Sequence, residues 1–170
     1  MSLARRSVIE EYEGLCYEAG AHAGLIDLAT FNVINSVLAG PSVPAADWLI
    51  VNVAVDSASI AVMRGTDLIF FRNRSWDAEG TLADLAHQSR MYYEDRLQGT
   101  GFVRAIVSGG APAVEEVRRT LQDRLSIPIE SVDPRQAAAL TDRITASPAL
   151  LDALAPLVGI LLRDRQAVPA

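Results

Sequence analysis

Lysine is absent: all 15 basic residues are arginine. Without a lysine amine the chain cannot form a Schiff base, fill a Walker-type phosphate loop or supply the strand lysine of a protein kinase. Cysteine is nearly absent. Cys16 alone cannot close an intrachain disulfide, and with only His22 and His87 beside it there is no zinc ligand set. A reducing cytoplasm fits that usage. Positive charge is also short, since the net charge is -6 and the pI near 4.9, which argues against nucleic acid as a partner. No hydrophobic run reaches membrane length. The most apolar stretch, Ala149 to Leu162, is about 14 residues and contains Asp152 and Pro156, where a span needs roughly 20; a core helix is expected there. Arg5-Arg6 leads straight to Glu10-Glu11 without a hydrophobic stretch, so no signal peptide is expected, and Met1-Ser2-Leu3 reads as an expression leader. With no secretory signal, the acceptor pattern Asn73-Arg74-Ser75 is not expected to carry sugar.

What is present is core material. Of 170 residues, 50% are hydrophobic and 21% charged, which suits one globular domain with at most an appendage. Val8, Tyr12, Leu15, Cys16 and Ala19 recur at helical spacing up to Gly20, and Phe31, Ile34, Val37 and Leu38 mark a second helix before Gly40-Pro41. Between them Leu25-Ile26-Asp27-Leu28 reads as extended. Residues 41–46 form the one linker-like stretch. The period then changes. Trp48 to Val55, Ile60 to Met63 and Leu68 to Phe71 are apolar and partly β-branched, separated by turns at Asp56-Ser57 and Gly65-Thr66-Asp67, which predicts three antiparallel strands.

The remainder alternates between helix and strand. Thr81 to Leu97 reads as a long helix with Thr81 as N-cap and Asp84 as its capping-box partner. Phe102 to Val107 reads as a strand running into Ser108-Gly109-Gly110, followed by a helix with Val114, Val117, Leu121 and Leu125 on one face and a Glu115 to Arg119 pair on the other. Ile127-Pro128-Ile129 is a brief strand, placed at an edge because proline cannot donate to a central ladder. Ser147 or Pro148 opens a last helix to about Arg163. The expected fold is α/β: a mixed sheet of three antiparallel strands and then alternating helix and strand, with helices packed on it.

That order is the one seen in the ribonuclease H-like unit of the actin, Hsp70 and sugar-kinase superfamily, and particular residues sharpen the comparison. Gly65 followed by Phe70-Phe71-Arg72, Ser89 with Tyr92-Tyr93, Ser108-Gly109-Gly110, Val132-Asp133-Pro134 and Val158-Gly159-Ile160 occur in the order found in the PilM family. The chain resembles the C-terminal half of these actin-like cytoplasmic proteins of type IV pilus assembly. On that resemblance residues 4–40 correspond to a remnant of the first lobe and its crossover helix, with Leu25-Ile26-Asp27 as a strand, and residues 47–165 to the second lobe. Most of the first lobe, with its phosphate loop, has no counterpart. The insertion after Arg72 is cut to about ten residues, which removes most of one subdomain.

The resemblance implies ATP and Mg²⁺ as family ligands, and places the Ser108-Gly109-Gly110 turn at the adenosine. The phosphate hairpin would carry Asp-x-Gly and, four residues on, Thr or Ser; those places fall on Asn52, Ala54 and Ala58. Asn52 cannot act as an anionic metal partner, Ala54 sets a methyl where backbone should approach phosphate, and Ala58 has no hydroxyl. Asp56, Ser57 and Ser59 could partly substitute, although a hairpin rich in Asp and Ser is ordinarily just a turn. The candidate nucleotide-contacting residues are therefore Asp56, Ser57, Ser59, Ser108, Gly109 and Gly110. The bland reading of the glycine pair is a tight turn that lets the next helix close on the sheet.

Nuclease chemistry is disfavoured, because Asn52 stands where the first-strand acid of a two-metal site belongs. Cys16, on an apolar helical face, reads as an inert core thiol, and His22 and His87 as surface or partly buried residues. Trp76 and Tyr92-Tyr93 are candidate contact anchors, with packing the commoner fate. The expectation is a non-catalytic scaffold that binds other pilus or secretion assembly proteins, a membrane-anchored component among them, with no resident cofactor. One lobe of an ATP-hydrolysing actin-like or sugar-kinase-type protein is the alternative. Residues Val8 to Leu38 would also leave apolar faces uncovered unless they fold back or pair with a second copy of the chain.

Overall fold

The computed structural model describes residues 5–75, 82–110, 114–138 and 146–167. Among the described residues five strands form one sheet: β1 (Asp47–Val53), β2 (Ser57–Arg64), β3 (Asp67–Ser75), β4 (Ala105–Ser108) and β5 (Ile129–Glu130). Their order is β3-β2-β1-β4-β5. The first three pair antiparallel, whereas β1 with β4 and β4 with β5 are parallel. The three-strand meander, the parallel continuation and the brief β5 at the sheet edge follow the sequence expectation. This is the ribonuclease H-like arrangement.

Both sheet faces are covered, which is why the central strands are apolar at successive positions rather than alternate ones. On one face Leu49, Val51, Ile60, Val62 and Val107 meet Leu85 and Tyr93 of α3 (Leu82–Leu97) and Val117 and Leu121 of α4 (Val114–Leu125). On the other, Trp48, Ile50, Met63 and Ile106 meet Val33 and Ile34 of α2 (Ala29–Leu38) and Ala155 of α5 (Pro148–Ala167). Helices α2 and α5 also lie against each other, and the buried Ser36 hydroxyl donates to the Ala155 carbonyl at 2.8 Å. Ser147 opens α5 as expected, its Oγ accepting from the Leu150 N–H at 3.3 Å.

Several details depart from the sequence reading. Leu25 to Leu28 is not a strand: among the described residues no neighbouring strand shares a ladder with it, and Asp27 instead accepts from the Leu28 N–H and pairs with Arg163 of α5. The ion pair on α4 joins Glu115 to Arg118, at 3.6 Å, and not to Arg119; Arg118 is the residue turned toward Ser131, to which it donates at 2.9 Å. Cys16 is not a core thiol, because its helix α1 (Arg6–Glu18) buries no residue. The Thr81 cap and Trp76 lie outside the described residues.

Tyr93, of the Tyr pair, belongs to the core. Its ring is 1% exposed and stacks on Phe102 with centroids 4.5 Å apart, while its hydroxyl lies 2.7 Å from Asp47 Oδ2 and 3.0 Å from the Gly101 carbonyl. Arg64 completes the group with two bonds of 2.9 Å to the Asp47 carboxylate. Those donors hold the Asp47 carboxyl below its ordinary range, and burial raises the Tyr93 hydroxyl. Tyr93→Phe keeps the ring but strips Asp47 of one donor. Urea denaturation should register a loss of about 1 to 2 kcal/mol, against about 3 kcal/mol or more for Tyr93→Ala, which also leaves a cavity.

Candidate functional site

The parallel pairing of β1 with β4 places the two sequence-predicted segments at one end of the sheet. Asn52 stands opposite Ser59 on β2 and Ser108 on β4, and Ser59 opposite Asn73 on β3. Asn73, Ser59, Asn52 and Ser108 therefore form one polar row across four strands. It lies on the face covered by α2 and α5, at the carboxyl end of β1 and β4, where ligands of open α/β sheets characteristically bind.

Each member of the row is bonded within the chain. Asn73 Nδ2 donates to Ser59 Oγ at 2.9 Å, Asn52 Nδ2 to Thr30 Oγ1 of α2 at 3.1 Å, and Ser108 Oγ to Asp152 Oδ1 of α5 at 2.7 Å. The second Asp152 oxygen accepts from the Gly109 N–H at 2.8 Å. Asp152 is only 7% exposed, and burial pushes its carboxyl above the ordinary range, opposed by the bonds from Ser108 and Gly109. The start of the Ser-Gly-Gly turn thus already has a carboxyl acceptor supplied by the chain itself.

Gly109 has φ +137°, and a Cβ there would lie 2.0 Å from the Val53 carbonyl oxygen at the end of β1. Any side chain would collide with backbone. The close approach of two strand ends is thus enough to require this glycine. A Cβ on Gly110 would meet nothing within 4 Å.

The hairpin residues divide. Asp56 is exposed and accepts from the Ser57 hydroxyl at 3.1 Å, while the Ala54 N–H donates to the Ser57 carbonyl at 2.8 Å to close the turn. Ala58 packs with Val53 in the core on the α3/α4 face, so a hydroxyl at that position would be on the opposite side from Asn52. Ser59 is the hydroxyl that shares Asn52's side. Of the six candidates, Ser59 and Ser108 stand in the polar row, Gly109 and Gly110 extend it, and Asp56 with Ser57 occupy the tip of the hairpin.

Sequence reasoning missed Asp152 and Thr30. The signal for Asp152 was available: it is the one acid within the chain's most apolar stretch, and a carboxylate in such a helix needs a buried partner. The row has amides, hydroxyls and a single carboxyl, so it lacks the paired acids that proton transfer or two-metal chemistry needs. Among the described residues no cluster of three His, Cys, Asp or Glu could hold a metal, and no helix is long and apolar enough to cross a membrane. A separate hollow of about 520 Å³, lined by Phe31, Ile34, Met63, Leu68 and Arg163 among others, lies between α2, the β2-β3 turn and the end of α5.

No family model matches the sequence, and no curated protein matches it. Solved structures do. A chain of the PilM-PilN type IV pilus biogenesis complex superposes with a TM-score of 0.72 over 98% of this chain, at 18% identity. A Bacteroides thetaiotaomicron protein of actin-like ATPase fold and unknown function is 10% identical, with a TM-score of 0.48 over 79% of this chain and 44% of its own. The present chain spans 60% of the length of the PilM-PilN complex chain it matches. At 18% identity the likeness is one of fold, the α/β, ribonuclease H-like mixed sheet described above.

Proposed function

We propose that this chain is a non-catalytic, PilM-like scaffold module of a type IV pilus or type II secretion-like assembly. In this reading it sits on the cytoplasmic face of the membrane through its partners, one of them membrane-anchored, with residues 4–40 as a first-lobe remnant and 47–165 as the second lobe. The likeness to a chain of the PilM-PilN complex supports the family. The observation that carries the absence of chemistry is the inward bonding of the polar row. The amide of Asn52, in place of the metal-organising acid, is spent on Thr30, and the Ser108 hydroxyl and Gly109 N–H are spent on Asp152. A phosphate or ribose arriving there would face a buried carboxylate instead of free donors.

Calorimetry with Mg-ATP separates this reading from the alternative of an ATP-binding actin-like lobe. Titration up to about 1 mM nucleotide should give no binding heat, which sets any dissociation constant above roughly 1 mM, a standard free energy weaker than about -4 kcal/mol. Micromolar binding that disappears on Gly110→Val would establish the nucleotide-binding reading instead.

A further inference from the structure

The two edges of the sheet are unlike. At one, β5 is two residues long and follows Pro128; at the other, β3 is nine residues long and contains no proline. Among the described residues no strand pairs with the outer side of β3. An open edge of that length presents a row of backbone donors and acceptors that another extended chain can complete.

The turn between β1 and β2 fixes which backbone groups are open. The Ala54 N–H donates to the Ser57 carbonyl at 2.8 Å, which makes Ala54 and Ser57 a hydrogen-bonded pair, and such pairs recur at every second residue of an antiparallel ladder. Ser59 and Ala61 therefore bond toward β1, and Ala58, Ile60 and Val62 toward β3. Their partners Arg74, Arg72 and Phe70 bond inward, which leaves the backbone of Phe71, Asn73 and Ser75 facing out.

The side chains beside this edge say what kind of strand it takes. Arg72 and Arg74 stand opposite Ile60 and Ala58, hence on the α3/α4 face, with Arg72 exposed and Arg74 half-buried. Among the described residues no acid pairs with either. In a chain of net charge -6, two unpaired arginines at alternate positions of one strand are a local preference for acid. On the α2/α5 face Leu68, opposite Met63 and 42% exposed, borders the hollow of about 520 Å³ beside the β2-β3 turn. One face of an added strand thus meets arginine and the other an apolar recess, the alternation by which edge-binding peptides are selected.

We propose that the outer edge of β3 binds an extended acidic segment of a partner protein as a further strand of the sheet, with Asp or Glu at alternate positions against Arg72 and Arg74 and apolar residues between them. A second copy of β3 is a poor occupant: antiparallel pairing centred on Arg72, Asn73 or Arg74 sets arginine against arginine. The surface rests on the scaffold reading, to which it adds a docking site and the chemistry of a partner.

Fluorescence anisotropy with a labelled eight-residue peptide of alternating glutamate and valine should show binding to the full chain at about 10 to 100 µM. Arg72→Glu with Arg74→Glu should weaken it roughly tenfold or more at an unchanged thermal midpoint, and that variant should bind the alternating arginine and valine peptide instead. The glutamate peptide N-methylated throughout keeps its charges but has no backbone donors, and should not bind. No binding up to about 1 mM overturns the proposal, as does binding indifferent to the two reversals or to N-methylation. Duplex DNA or phosphatidylglycerol vesicles binding more tightly, with the same loss on reversal, would assign the arginines to phosphate and overturn it too. So would a dimer that dissociates when the peptide is added, since a second copy would then be the occupant. Absence of peptide binding together with absence of Mg-ATP heat removes this edge alone and leaves the scaffold reading standing.

Discussion

Gly159→Ala should destabilise the protein by about 3 kcal/mol and Gly159→Val by more, even though alanine favours a helix interior over glycine by roughly 1 kcal/mol. Gly159 lies in α5 where it crosses α2. A Cβ there would lie 1.7 Å from the Asn32 carbonyl oxygen, 2.5 Å from its carbonyl carbon and 2.8 Å from its Cα. All three atoms are backbone, so no rotamer change relieves the contact; the helices must move apart. The separation would draw Val33, Ile34 and Ala155 off Trp48, Ile50 and Ile106 and stretch the Ser36 to Ala155 bond. Urea denaturation measures the loss, and Gly14→Ala in α1, whose Cβ would meet nothing within 4 Å, is the control, expected to be neutral or slightly stabilising. A Gly159→Ala variant as stable as the parent would mean that α2 and α5 do not pack this closely.

The strands and the long helices were legible because their signals are local. Period-two and continuous apolar runs at Trp48, Ile60 and Leu68, with Gly65 at φ +58° in the second turn, mark the meander without any tertiary information. Pro128 correctly places β5 at the edge. Leu25 to Leu28 was misleading for the converse reason: its residues have strand character, but a strand exists only where another offers a ladder, and no residue within the segment records that none does. Cys16 illustrates the same gap. An apolar helical face states that something covers it, not that the cover belongs to the same chain. At the site, the sequence itself shows Asn52, Ala54 and Ala58 departing from the hairpin pattern that the resemblance implies. The cross-strand register that lines up Asn73, Ser59, Asn52 and Ser108 was not, since a shift of one residue would turn each side chain to the other face. Thr30 and Asp152 come from helices 22 and 44 residues away from their partners, a separation that single-sequence periodicity does not report.

Asp152 offers the second large effect. Asp152→Ala should cost about 3 kcal/mol, because it leaves the buried Ser108 hydroxyl and the Gly109 N–H without their acceptor. Asp152→Asn should cost about 1 to 2 kcal/mol, since one amide oxygen can serve one of the two donors while the NH₂ opposes the other. The two variants also differ from the parent in pH dependence. The folded-state pKa of Asp152 is raised above its ordinary 3.8, so between those values the folded chain holds the proton that the unfolded chain has lost. Its contribution is therefore fully present below about 3.8 and is lost as pH rises through the folded value, beyond which the curve levels. Asp47 and Asp133 are lowered, chiefly by their bonds from Arg64 and Arg135, and act in the opposite direction: their stabilisation is present above 3.8 and is lost as pH falls through the folded values. Stability should accordingly peak near the ordinary carboxylate range and decline above it. In Asp152→Asn the decline above 3.8 should vanish while the acid-side loss remains. A parent whose stability is flat between pH 4 and 7, or an Asp152→Asn variant that keeps the decline, would place the titrating group elsewhere and remove Asp152 as the buried acceptor that occupies the turn.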